Sequence, residues 1–247
     1  MPHTANIVEI FSSLQGEGLY TGSPTTFVRF EGCDLGCKWC DTPEALIHHD
    51  ACQIESPPGS ENFIEIPNPV SATQLSEIIG NFDDEFLSLT GGEPLLQSGF
   101  LANWLSTEHA KRRVLLETSG VHCNALMEVI PYIHIVSMDL KLPSSTGIKP
   151  LWNEHASFLK IALQQKKEVY VKIVVTARTT DRDLQEAIRI ISRTNRTLPV
   201  ILQPASPTLT FHETLTEGQL DSLLRLFSAY LPNVSVTPQM HKQWGVL

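Results

Sequence analysis

Thr25-Thr26-Phe27-Val28-Arg29-Phe30-Glu31-Gly32-Cys33-Asp34-Leu35-Gly36-Cys37-Lys38-Trp39-Cys40 joins a run of strand-forming residues to a loop with three cysteines in eight residues. The β-branched and aromatic side chains of 25–30 predict a strand, and Gly36 lets the loop behind it turn three sulfurs toward one point. The chain has five cysteines in all. An odd total argues against a disulfide framework, since bridged pairs come in even numbers and a reducing cytosol keeps thiols free. Ligation of a metal or cluster is the leading reading. A structural zinc site takes four ligands, usually from paired knuckles, and an electron-transfer iron–sulfur cluster usually takes four cysteines. A 4Fe–4S cluster on three cysteines keeps one iron open to a small molecule, and an open metal position points to chemistry. The competing reading is a zinc-dependent binding module in which His48, His49 or Cys52 completes the site. Cys52 and Cys123 read as small apolar side chains with no role.

Outward from this stretch, 85–89, 113–117, 133–138, 169–175, 200–203 and 234–236 also predict strands. Ser71 and Gln74, and again Thr216 and Gln219, match the capping box that opens a helix. Leu220, Leu223, Leu224 and Phe227 then form one apolar stripe, and Leu184, Ile188 and Ile191 form another within 180–194. Strand alternating with helix implies right-handed βα units on a parallel sheet. Six or so such units suit an α/β barrel, full or partial, in a single domain over 1–247. The segment 43–70, with Pro57-Pro58-Gly59 inside it, has no periodicity and reads as a long loop or small excursion. Polar clusters fall after the strands, where parallel α/β folds carry their sites. They are Glu31-Gly32-Cys33, Thr90-Gly91-Gly92-Glu93-Pro94, Thr118-Ser119-Gly120, Asp139-Leu140-Lys141 and Gln203-Pro204-Ala205-Ser206.

Composition narrows the function classes. With 42% hydrophobic and 18% charged residues the chain can bury a core, which excludes disorder as its main character. A net charge of -9 and the lack of a basic run argue against direct nucleic-acid binding. No apolar run approaches the ~18 residues of a membrane span. Residues 1–6 show neither the basic nor the apolar region of a signal peptide, so a soluble, cytoplasmic protein is expected.

Gly91-Gly92-Glu93-Pro94 is weak by itself, because a double glycine at a strand end often serves only as a turn. Together with the three-cysteine loop it resembles the signature of the radical S-adenosylmethionine (SAM) enzymes. Within that superfamily the chain resembles the 7-carboxy-7-deazaguanine synthase family from near residue 10 to its end. Leu14-Gln15-Gly16-Glu17-Gly18, Thr26 through Cys33, Cys40-Asp41-Thr42 and Pro238-Gln239-Met240-His241-Lys242 carry this resemblance. It implies a partial (βα) barrel of the radical SAM type, with Cys33, Cys37 and Cys40 on a 4Fe–4S cluster. The free iron would chelate the amino and carboxylate groups of SAM, and electron transfer would cleave SAM to a 5′-deoxyadenosyl radical. The implied reaction converts 6-carboxy-5,6,7,8-tetrahydropterin to 7-carboxy-7-deazaguanine with loss of ammonia, toward queuosine and other deazapurines. A homodimer, a magnesium ion and a flavodoxin- or ferredoxin-like electron donor are implied as well.

Site residues follow from the same resemblance. Leu14, Gln15, Gly16, Glu17, Arg29 and Thr90 would bind the pterin. Trp39, Cys40, Asp41, Gly92, Ser137, Met138, Asp139 and Gln203 would bind SAM, with Lys141 beside them. Thr42 would hold magnesium, and His241 and Leu247 would close over the site. The residues make chemical sense individually. Arg29 offers a planar fork for a carboxylate, although a structural ion pair explains it equally. Glu17 can accept from ring nitrogens or cap a turn. Magnesium takes oxygen donors and completes its shell with water and substrate oxygens, which a single hydroxyl can join; the plainer reading of Thr42 is a turn residue before Pro43. A glycyl-radical activating enzyme shares the cysteine spacing but has no use for the Gln15-Gly16-Glu17 loop or Thr42.

Overall fold

The computed structural model describes residues 3–247, so Met1 and Pro2 of the polar start lie outside the described residues. Its strands are β1 (Thr4–Ala5), β2 (Ile7–Leu14), β3 (Pro24–Phe30), β4 (Ala51–Glu55), β5 (Phe63–Pro67), β6 (Val70–Ser71), β7 (Phe86–Gly91), β8 (Arg113–Thr118), β9 (Ile135–Asp139), β10 (Glu168–Val175), β11 (Val200–Pro204) and β12 (Val234–Val236). Its helices are α1 (Ala72–Ile79), α2 (Ser98–Glu108), α3 (Cys123–Val129), α4 (Pro143–Thr146), α5 (Trp152–Gln164), α6 (Asp181–Asn195), α7 (Glu217–Ser228) and α8 (Met240–Trp244). Both capping boxes form. Ser71 Oγ accepts from Gln74 N at 3.3 Å while Gln74 Oε1 accepts from Ser71 N at 3.0 Å, and Thr216 and Gln219 do the same at the start of α7.

Ten strands form one sheet in the order β12-β11-β10-β9-β8-β7-β3-β2-β4-β5. From β3 through β7 to β12 every neighbouring pair is parallel, and the chain passes through a helical segment between most of them. This is the expected α/β partial barrel. The sheet stays open, since β12 and β5 end it on opposite sides.

Two elements differ from the sequence reading. Strand β2 was not foreseen, although Ile7-Val8-Glu9-Ile10-Phe11 is rich in strand formers; it runs antiparallel beside β3. The segment 43–70 is not a bare loop. It holds an antiparallel hairpin, β4 and β5, which extends the sheet beyond β2. The signal was weak because Pro57, Pro58 and Gly59 occupy its turn region and the outer strand has no second partner. No helix among the described residues is long and apolar enough to cross a membrane.

Period-two alternation gives the parallel strands two different faces. Leu87, Leu89, Val114, Leu116, Val136, Met138, Val171, Ile173, Val200 and Leu202 point to one side, where they join the main core with Leu126, Phe158, Leu184 and Ile188 of the helices. Phe86, Leu115, Ile135, Tyr170 and Ile201 point to the other and form a small apolar floor, covered by Tyr20. One step further along each strand on that same side the residues turn polar: Ser88, Glu117, Ser137, Lys172 and Gln203. The floor keeps water from one end of the sheet's inner face, and the polar layer above it is where a ligand can be held.

Candidate active site

The three-cysteine loop leaves β3 at the polar end of this inner face. Its backbone is pinned from both sides: Gly32 N donates to Ala45 O at 2.7 Å, and Lys38 N donates to Thr146 O at 3.0 Å. Gly36 has φ +63°, the left-handed conformation that glycine adopts without a Cβ penalty. Cys33, Cys37 and Cys40 are free thiols that line one pocket. Burial pushes the Cys37 thiol up to about 11 and raises that of Cys40. Such thiols are ligands that ionise on taking up metal, not standing nucleophiles.

Among the described residues, the only His, Cys, Asp or Glu side chains that bring three ligand atoms within 4.8 Å of one another are Glu17, Asp41 and His241, so the three cysteines are not a ready-made single-ion site. The histidines of the zinc reading are also engaged elsewhere: His48 Nδ1 lies 3.1 Å from Glu31 Oε1, and His49 Nε2 lies 2.8 Å from Glu44 O. Cys52 is fully buried on β4, its thiol pushed up to about 12 by burial.

Gly92 forms the edge facing this loop. Its N–H donates to Phe30 O at 3.1 Å, and a Cβ here would overlap the carbonyl oxygen of Gly32 and come 3.0 Å from Cys33 Cβ. Only glycine lets the end of β7 lie this close to the cysteine loop. Glu93 braces the edge from behind: fully buried, it accepts from Leu95 N at 3.1 Å, Thr118 Oγ1 at 2.8 Å and Ser119 N at 2.7 Å. Among the described residues three buried side-chain polar atoms have no partner, namely Trp39 Nε1, Asp139 Oδ1 and Gln203 Oε1. All three residues line the pocket. Buried polar groups are almost always satisfied, so two unused acceptors and one unused donor facing one cleft mark the place of a polar ligand. The donor set fits a 4Fe–4S cluster with SAM beside it.

The other end of the pocket is a polar network around Gln15, which is 3% exposed. Gln15 Nε2 donates to Glu117 Oε1 at 3.0 Å, and Glu17 N donates to Gln15 Oε1 at 3.1 Å. Arg29 projects from β3 into the same space. Its Nε is bound to Glu9 Oε1 at 2.6 Å across the β2–β3 pair, and its two terminal nitrogens take no hydrogen bond among the described residues. The ion pair therefore aims the fork and leaves it free for a carboxylate.

Comparison with known proteins agrees with this geometry. Residues 27–191 match the family model described as "Radical SAM superfamily". The chain is 38% identical to a 7-carboxy-7-deazaguanine synthase of Geobacter sulfurreducens over 98% of both chains. It is 32% identical to one of Methanopyrus kandleri, over 96% of this chain and 92% of that one. The chain belongs to the 7-carboxy-7-deazaguanine synthase family of radical SAM enzymes. Its fold is that of QueE from Escherichia coli, with a TM-score of 0.65 at 22% identity over 96% of this chain and 95% of that one. A radical SAM methyltransferase from Sphaerobacter thermophilus has a TM-score of 0.64 at 15% identity, over 87% of this chain and 66% of that one.

Against the site expected from 7-carboxy-7-deazaguanine synthases, nearly every residue lines the one pocket. Leu14, Gln15, Gly16, Glu17, Arg29 and Thr90 do, as do Trp39, Cys40, Asp41, Thr42, Gly92, Ser137, Asp139 and Gln203. Met138 does not. Between Ser137 and Asp139 on β9 it faces the helices, and its side chain packs into the main core against Gly120. Thr42 is not the side-chain turn considered above: its hydroxyl donates to Asp41 Oδ1 at 3.2 Å and caps no backbone N–H. The chain end is drawn in as well. Met240 N donates to Gly16 O at 2.9 Å, Ser13 Oγ donates to Leu247 O at 2.8 Å, and His241 and Leu247 line the pocket.

Among the charged and amide side chains of the lining, Glu117, Lys172 and Gln239 had no site role in the sequence reading. Lys172 carried a signal, because a lysine inside Val169-Tyr170-Val171-Lys172-Ile173-Val174-Val175 interrupts a strand buried on both faces. Gln239 Nε2 donates to Glu17 Oε1 at 2.7 Å and also to Asp41 Oδ2. Burial opposes ionisation of Asp41, yet Lys242, Gln239 and Lys172 hold its carboxyl below the usual range. The charges of Glu17 and Asp41 are thus met by lysines of the chain.

Proposed function

We infer that this chain is a radical SAM lyase that converts 6-carboxy-5,6,7,8-tetrahydropterin to 7-carboxy-7-deazaguanine with loss of ammonia, in queuosine and 7-deazapurine biosynthesis. The observation that carries the reading is one pocket with two ends: the three cysteines of one loop with unpartnered polar atoms beside them, and the Gln15–Glu17–Arg29 group facing them. In this reading residues 1–247 act as one radical SAM core domain, with 43–70 as its variable excursion.

When bound, a 4Fe–4S cluster and SAM supply the radical that takes a hydrogen from the substrate carbon bearing the carboxylate. Cys33, Cys37 and Cys40 would hold the cluster. Trp39, Asp41, Gly92, Ser137, Asp139 and Gln203 would hold SAM. Arg29 receives the substrate carboxylate on its free fork, and Gln15 and Glu17 orient the heterocycle, so that one ring hydrogen is presented to the cofactor end. Positioning of this kind is what rearrangement of a reactive species depends on. Thr42 would offer its hydroxyl oxygen to a magnesium ion beside the substrate carboxylate. The chain acts as a soluble, cytoplasmic homodimer, reduced by a flavodoxin- or ferredoxin-like donor.

The test is anaerobic reconstitution of the cluster, addition of SAM, reductant and carboxytetrahydropterin, and mass detection of carboxydeazaguanine. Absence of that product, or zinc without iron and sulfide in the purified protein, overturns the reading. For Thr42→Ala we expect SAM cleavage to persist and the stimulation of product formation by magnesium to disappear; full stimulation removes Thr42 from the metal. Cys52→Ala and Cys123→Ala should keep a full iron and sulfide load and turn over within about twofold of the parent, as expected for side chains with no part in the site. Iron loss in either would give that cysteine a role in the cluster.

A further inference from the structure

Lys172 lines the pocket and its ammonium lies between Glu17 at one end and Asp139 at the other. Its side chain is 12% exposed, and Nζ donates to Glu17 Oε2 at 2.5 Å while lying 3.8 Å from Asp139 Oδ2. The parallel register places Lys172 directly beside Asp139, and Leu140 N donates to Lys172 O at 2.8 Å, so the root of the side chain is fixed by the sheet. Burial favours the neutral amine, but Glu17, Asp139 and Glu117 together raise its pKa well above the usual value, and it stays a cation.

The two carboxylates do not depend on it equally. Asp139 already has Lys141 Nζ at 2.7 Å on the same oxygen. Among the described residues Glu17 has no other ion-pair partner; its second oxygen accepts from the neutral amide of Gln239 at 2.7 Å. Glu17 also sits on the loop after β2 and not on a strand, so nothing in the sheet register fixes its carboxylate. Glu117, on the far side of Gln15, takes only the neutral donors Ser88 Oγ and Gln15 Nε2. Without Lys172, Glu17 would be a largely buried carboxylate with no cation in contact, and it would turn toward water.

We propose that Lys172 is a positioning residue that holds the Glu17 carboxylate aimed at the pterin end of the pocket, and so sets substrate affinity and not SAM affinity. The inference rests on the reaction assigned above. Lys172→Met should raise KM for carboxytetrahydropterin by about tenfold or more, with KM for SAM within about threefold and the cluster absorbance unchanged. Lys172→Arg, which keeps the charge, should recover most of the loss.

The deciding comparison is a double-mutant cycle with Glu17→Gln. If Lys172 acts through Glu17, adding Lys172→Met to Glu17→Gln raises the pterin KM by less than about twofold further, since a neutral amide has no charge to compensate. That pair also removes the unpaired charge, so it can be compared with Glu17→Gln alone if Lys172→Met does not accumulate as soluble protein. Equal rises in both KM values would assign Lys172 to Asp139 and the cofactor end. A full additional loss in the Glu17→Gln background, or an unchanged pterin KM, also overturns the proposal. Turnover by the parent enzyme in the same assay separates these outcomes from a failure of the reaction assignment.

Discussion

Cys37→Ala yields a protein that folds but carries no intact 4Fe–4S cluster and makes no carboxydeazaguanine. Cys37 is the middle one of the three cysteines, and its thiol is pushed up to about 11, with burial as the main cause. Alanine there leaves two cysteines and an apolar methyl where a ligand must stand, and no other residue can replace it, because His48 and His49 are turned to Glu31 and Glu44. Product formation should fall by about 10³-fold or more, since neighbouring residues cannot supply the missing electron transfer. The fold should survive, because Cys37 is on a loop whose anchors are the backbone bonds of Gly32 and Lys38. Iron and sulfide analysis, the visible absorbance of the cluster and circular dichroism check the three statements separately. An intact cluster in this variant would take Cys37 out of the ligand set.

The second large effect comes from one added methyl group. Gly92→Ala would drive a Cβ into the carbonyl oxygen of Gly32 and against Cys33 Cβ, so either the end of β7 or the cysteine loop has to move. Both neighbours are short of freedom: Gly32 is bonded to Ala45, and Glu93 N donates to Gly32 O at 2.7 Å. Overpacking against backbone costs roughly 1–3 kcal/mol of stability, which a domain of this size survives. The cofactor edge does not survive it, because a shift of about 1 Å at a reacting centre is worth about 10²-fold in rate. We therefore expect a soluble protein with kcat/KM lowered about 10²-fold or more and a raised KM for SAM. Parent-like kinetics would show that this edge does not meet the cofactor.

How much of this was legible beforehand followed the range of the interactions involved. The seven parallel strands and the helix stripes were readable because local composition and periodicity mark them, and the capping boxes because each joins residues three positions apart. The β4–β5 hairpin was not, because its strands are held by pairing with each other and with β2 more than by their own composition. Met138 illustrates the limit on site residues. The family resemblance pointed to the segment Ser137-Met138-Asp139, but once β9 is set in the sheet the alternation of its side chains sends the middle one into the core.

The sequence by itself pointed to the chemistry: three cysteines within eight residues stay together wherever their loop is placed, and the Gly91-Gly92-Glu93 edge with the Leu14–Glu17, Arg29 and Thr42 positions identified the family. The tertiary structure alone decided which distant groups meet there. Gln15 and Glu117 are 102 positions apart, Glu17 and Lys172 155, and Glu17 and Gln239 222. No local pattern encodes such separations. They close because parallel register brings the strand ends level, because the loop after β2 lies beneath them, and because Gly16 leaves room for the chain's last helix to dock over it.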